Sequence, residues 1–123
     1  MCLSVITKRF KKPDGTVRVG WKAFELNHGE LIFPFMGSCA VRGKWLKAHR
    51  TTIVTNGVHE NYLSGFHVYA ETMRKRMTWA ASTTVMKVEI RGVETEGTDG
   101  SGGTNGARVL VAREMRVVGK VGV

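Results

Sequence analysis

The strongest constraint on this chain is a pair of strand-periodic segments in its last third. Thr84, Met86, Val88 and Ile90 alternate with Val85, Lys87, Glu89 and Arg91. A period of two sends alternate side chains to opposite faces, so this stretch reads as a half-buried strand. A second β-rich segment runs from Ala107 to Val118, with Val109, Val111, Met115 and Val117 assigned to one face and Arg113 interrupting it. Between the two lies GTDGSGGTNG, residues 97–106, whose glycines and small polar side chains have little to offer a core. It reads as a flexible Gly-rich loop joining two strands.

The rest of the chain is read around that strand pair. CLSVITKRF, residues 2–10, is β-rich, and Pro13-Asp14-Gly15 follows as a turn, which predicts a hairpin. In its second arm Val17, Val19, Trp21 and Ala23 are expected to face the core, leaving Arg18, Gly20 and Lys22 on a wet, basic face. Asn27-His28-Gly29 turns the chain into residues 30–35, where Pro34 implies a strand end or an edge. Residues 36–64 read as loop with brief strands, among them the apolar run Thr51 to Val54 before an Asn56-Gly57 turn.

Gly65 to Tyr69 reads as a short strand leading into one helix over residues 71–81. Ala70, Met73, Met77, Ala80 and Ala81 recur at helical spacing, while Arg74, Lys75, Arg76 and Thr78 point away from that stripe. The expected fold is therefore α+β: one domain over residues 1–123, a mostly antiparallel sheet with one amphipathic helix packed on it. With 42% hydrophobic residues the chain has enough apolar side chains for a small core. No apolar run approaches the roughly 20 residues that span a bilayer, and no signal-peptide pattern opens the chain, so a cytoplasmic protein without membrane partners is expected.

Charge narrows the partner. There are 19 Lys and Arg against 10 Asp and Glu, a formal net charge of +9. Residues 1–91 hold 15 basic and 6 acidic side chains, whereas residues 92–123 hold 4 of each. The excess gathers in three clusters: Lys8, Arg9, Lys11 and Lys12; Arg42, Lys44, Lys47 and Arg50; and Arg74, Lys75 and Arg76. Each can meet phosphate or carboxylate oxygens in a salt-dependent way. The same residues also solvate a surface with no ligand at all.

The order of several short motifs adds a resemblance. Met1-Cys2-Leu3, Pro34-Phe35-Met36-Gly37, Gly43-Lys44-Trp45-Leu46-Lys47-Ala48, Gly65-Phe66-His67 and Ala107-Arg108-Val109 together resemble a family of small uncharacterised proteins of phages and prophages. The resemblance implies a viral or prophage origin and carries no activity, cofactor or site residue with it.

Candidate chemistry has to come from individual side chains. Cys2 follows Met1 and would become an N-terminal nucleophile if Met1 were removed, but it reads better as a small apolar strand residue. Cys2 and Cys39 have no zinc-ligand spacing. His28, His49 and His59 are 21 and 10 residues apart with no carboxylate at ligand spacing, so neither a metal nor another cofactor is expected. No strand is followed by a dinucleotide-binding glycine pattern, and the Gly-rich segment lacks a P-loop Lys-Ser/Thr pair.

His67, at the junction after Gly65, is the one candidate catalytic base. Its alternative role is a histidine bonded to backbone at a tight turn. Two functions follow. The favoured one is a binding module for an acidic partner, either nucleic acid or an acidic host protein or ribonucleoprotein surface. The alternative is a compact enzyme acting on a nucleotide-like substrate through His67. Oligomeric state is not legible.

Overall fold

The computed structural model describes residues 3, 5–27, 30–32, 39–40, 43–48, 53–55, 60–70, 83–99 and 107–120. They form ten strands: β1 (Val5–Asp14), β2 (Arg18–Asn27), β3 (Glu30–Ile32), β4 (Cys39–Ala40), β5 (Leu46–Lys47), β6 (Ile53–Thr55), β7 (Asn61–Leu63), β8 (Phe66–Tyr69), β9 (Thr83–Asp99) and β10 (Ala107–Lys120). Every pairing among them is antiparallel. The expected α+β class is thereby corrected to all-β, since no helix occurs among the described residues. The helix expected over residues 71–81 lies outside them.

The strand pair anticipated near the end of the chain is the centre of the fold, and it is longer than expected. β9 has 17 residues and β10 has 14, and they pair from Ala107↔Asp99 to Lys120↔Met86. Gly97, Thr98 and Asp99 thus belong to β9, which corrects the expected loop over residues 97–106; residues 100–106 lie outside the described set. Leu3 and Val5 explain why glycine stands at 97: a Cβ there would collide with the Val5 carbonyl oxygen and press on Leu3 Cδ1.

Short strands line both edges of this ribbon in tandem. On the free edge of β9, β2 pairs with the first half (Arg18↔Ile90 to Glu25↔Thr83) and β1 with the second (Val5↔Thr98 to Asp14↔Val93). The expected β1–β2 hairpin is therefore absent. Pro13-Asp14-Gly15 bends one long run along β9 and does not reverse it. Asp14 holds that bend by accepting the Thr16 N–H at 3.0 Å, which lowers its carboxyl below the usual range. On the free edge of β10, β8 pairs with residues 109–112 and β5 with Glu114 and Met115.

The path then closes. Trp21 pairs with Lys87 of β9 on one side and with Tyr69 of β8 on the other, so β9, β10, β8 and β2 form a ring. Inside it lie Phe24, Val68, Met86, Val88, Ile90, Val93, Leu110, Ala112, Met115 and Val117, contributed by all four strands. Burial of such side chains is worth on the order of 1.5–3 kcal/mol each and is the main stabilising term.

The ring reverses the expected faces of β2. Gly20, Lys22 and Phe24 pair with Val88, Met86 and Thr84, so they share the inner face; Val17 and Val19 are 47% and 42% exposed. β10 is corrected in the same way. Met115 and Val117 point inward, whereas Val109 and Val111 point outward into a second cluster with Leu3, Tyr62, Tyr69 and Ala107. The switch occurs at Gly92, whose φ of 73° suits only glycine comfortably. There both strands of the ribbon step by three, from Ile90 to Val93 and from Ala112 to Met115. The hairpin of β6 and β7 covers this outer cluster through Val54 and Tyr62.

Gly97→Ala is expected to destabilise the protein by about 1–3 kcal/mol, because backbone must move to admit the methyl group. Gly15→Ala, with nothing within 4 Å of the new atom, should stay within about 0.5 kcal/mol of wild type. Urea midpoints of the two variants check the contrast.

Candidate binding surface and the ring seam

His67 stands where the ring closes. Its side chain is buried, Nδ1 lies 3.0 Å from Gly65 O, and Nε2 lies 2.9 Å from Tyr62 Oη. A carbonyl oxygen can only accept, so Nδ1 carries the hydrogen and donates to Gly65. Nε2 then accepts from the Tyr62 hydroxyl, whose oxygen in turn accepts the Leu3 N–H at 3.0 Å. Both ring nitrogens are engaged in holding β8, β7 and the strand entry together. That is the geometry of a histidine bonded at a tight junction, with a partner at each ring nitrogen.

The backbone of His67 does related work. β2 and β8 share only the Trp21↔Tyr69 pair among the described residues, and Lys22 Nζ donates to His67 O at 2.8 Å beside it. The lysine amine thus bridges a seam that the backbone leaves open. Burial on the inner face beside Met86 lowers its pKa from 10.5 to about 8.

The ribbon carries a second polar system. Arg91 Nε and Nη2 donate to Glu114 Oε2 at 3.0 and 2.6 Å, and Arg113 Nε donates to Glu94 Oε1 at 2.5 Å. Arg116 grips Glu89, and Arg108 grips Glu96, whose carboxyl that hydrogen bond lowers below the usual range. Arg91↔Glu114 and Glu89↔Arg116 are directly opposed in the ladder, so register alone brings opposite charges together. Trp45, just before β5, lies over this pair of bridges. The Arg91 guanidinium carbon is 4.0 Å from its ring centroid and that of Arg116 is 4.9 Å away.

The structure divides the basic clusters read from the sequence. Lys8, Arg9, Lys11 and Lys12 are exposed on β1; Lys8 sits 4.6 Å over the Phe10 ring, and Arg9 Nη1 donates to Asn61 O at 2.6 Å. Lys44 and Lys47 are exposed around Trp45, on the other side of the ribbon. These two groups are not brought together. Arg42, Arg50, Arg74, Lys75 and Arg76 lie outside the described residues, as do Cys2, His28, His49 and His59.

Sequence reading missed the cations that β9 and β10 contribute to the part of the ribbon flanked by Lys47: Lys87, Arg91 and Arg116. Their signal was present in the alternation, which put Lys87, Glu89 and Arg91 on one face, but the register that aligns them with β10 was not. Among the described residues no helix is long and apolar enough to cross a membrane. Compared with protein-family models, with curated proteins and with solved structures, the chain matches none.

Two outcomes test the seam. His67→Ala should lower stability by about 1–3 kcal/mol, since the Tyr62 hydroxyl and Gly65 carbonyl lose a buried partner; thermal denaturation reads it. For Lys22 the unfolded chain holds its proton up to about 10.5 while the folded chain releases it near 8. Stability should therefore rise as pH rises through that window, by on the order of 3 kcal/mol at most. Lys22→Met should remove the rise, and denaturant midpoints at successive pH values follow it.

Proposed function

We propose that this chain is a small basic accessory protein, of the phage or prophage type its motif order suggests and acting in the cytoplasm, that holds an acidic partner. The observation that carries this reading is the partition of charge. Glu89, Glu94, Glu96 and Glu114 of the ribbon are each taken up by a ribbon arginine. Lys8, Lys11, Lys12, Lys44 and Lys47 stay exposed and make no ion pair with a described carboxylate. A field so assembled attracts polyanions and falls off with salt over a Debye length of roughly 10 Å at 0.1 M. The enzyme reading through His67 is the weaker one, because both of its ring nitrogens are engaged in holding the junction.

The test is association with polyanions, an oligonucleotide and an acidic polypeptide, measured by fluorescence anisotropy across salt. Binding to at least one should weaken tenfold or more between about 50 and about 200 mM salt. Binding that ignores salt, or no complex with either polyanion at the low end, contradicts the reading.

A further inference from the structure

The outer face of the ring has two halves with different fates. The half bearing Tyr69, Val109 and Val111 is covered by Leu3, Tyr62 and Val54. Over the other half no second apolar layer is packed among the described residues, and register fixes what it displays. One row reads Lys47, Glu114, Arg91 across β5, β10 and β9; the next reads Arg116, Glu89, Val19 across β10, β9 and β2; a third pairs Lys87 with Trp21, whose side chain packs against the covered cluster and marks the border of the two halves. Trp45 lies against the first two rows through its contacts with Arg91 and Arg116. Val19, in the second row, is 42% exposed.

We propose that this second half of the sheet binds single-stranded nucleic acid; the proposal rests on the acidic-partner reading and names its chemical class and its place. Four cations, Lys47, Lys87, Arg91 and Arg116, stand there against two carboxylates, Glu89 and Glu114. Those carboxylates do not cancel the arginines. Each arginine spends the Nε and Nη2 side of its guanidinium on its glutamate and makes no described bond through Nη1. The planes are held by Trp45 and the outward N–H groups are left for a phosphate.

Val19 and the Trp45 indole choose among polyanions. A polymer whose every unit joins an anion to a flat apolar ring matches a face where cations and apolar groups are interleaved. In a duplex the base faces are stacked on one another and out of reach of the Val19 side chain. In a single strand they are accessible. A second copy of this chain is a poor occupant, because two such faces would oppose cation to cation.

The test uses the whole chain and a mixed-sequence single-stranded oligonucleotide, the same sequence as a duplex, and polyglutamate. Lys47→Gln and Lys87→Gln should each weaken single-strand binding on the order of three- to tenfold, and each should reduce the slope of log affinity against log salt by about 0.7. Ile53→Glu, at a position 63% exposed on β6, changes net charge by the same one unit away from the face and should leave that slope unchanged. Circular dichroism verifies that each variant is folded.

Preference for the duplex, or equal effects of Ile53→Glu and the two lysine variants, overturns the proposal while leaving a salt-dependent acidic partner in place. Binding to polyglutamate alone overturns it too and redirects the reading to an acidic protein. Binding to none of the three sinks both this proposal and the reading beneath it.

Discussion

Closing a ring of four strands through one backbone pair is the constraint from which the rest of the structure follows. At Trp21↔Tyr69 the strands β2 and β8 meet, the one backbone pair they share among the described residues. A seam held by so few backbone bonds gains from a side-chain donor, each such hydrogen bond being worth about 0.5–1.5 kcal/mol. Lys22 supplies one to the His67 carbonyl, and the consequence is a lysine on the inner face of an otherwise apolar cluster. Its neutral form keeps two N–H donors, so the bridge survives loss of the proton while the desolvation penalty disappears. The side chain of His67, on the opposite face of β8, ties the same point to Gly65, Tyr62 and Leu3. One residue therefore holds the seam by its backbone and the outer cluster by its ring.

The ribbon of β9 and β10 transmits that closure along its length. Its upper half is buried on both faces, by the ring interior and by the cluster under β6 and β7. Past Gly92 the outer face is released from packing, and the side chains there change from valine and alanine to arginine and glutamate. Partly exposed ion pairs of this sort contribute about 0–1 kcal/mol each. Their importance lies elsewhere: they fix the direction of the arginines, and Trp45 fixes their planes.

What the sequence revealed, and what it concealed, follows from the same geometry. Met86, Val88 and Ile90 were legible as core because β9 there has one packed face, the condition under which period-two alternation is a reliable guide. Val109 to Ala112 are all buried, so alternation carried no information and the face was misread. Lys22 was read as outward because a charged residue usually is. Only the seam, a contact between residues 45 positions apart, makes its inward placement intelligible. The hairpin at Pro13-Asp14-Gly15 was misread for a related reason. A local turn signal says that the chain bends, and the competition of β9 for both β1 and β2 decided that the bend would not become a reversal. The basic clusters were legible as composition, but their grouping was not, since Lys47 on β5 and Lys87 on β9 come onto one sheet only through the intervening β10.

This division of labour explains how so much positive charge is compatible with so small a fold. Like charges on one face repel, and a chain of +9 carries that repulsion whether or not a partner is bound. The ribbon limits it by opposing Glu and Arg across the ladder, Glu114 to Arg91 and Glu89 to Arg116. The same pairing stops short of neutrality at the β5 and β2 flanks, where Lys47 and Lys87 stand without a described carboxylate of their own. The residual repulsion is a small destabilisation of the free protein, concentrated where the ladder leaves a cation unmatched.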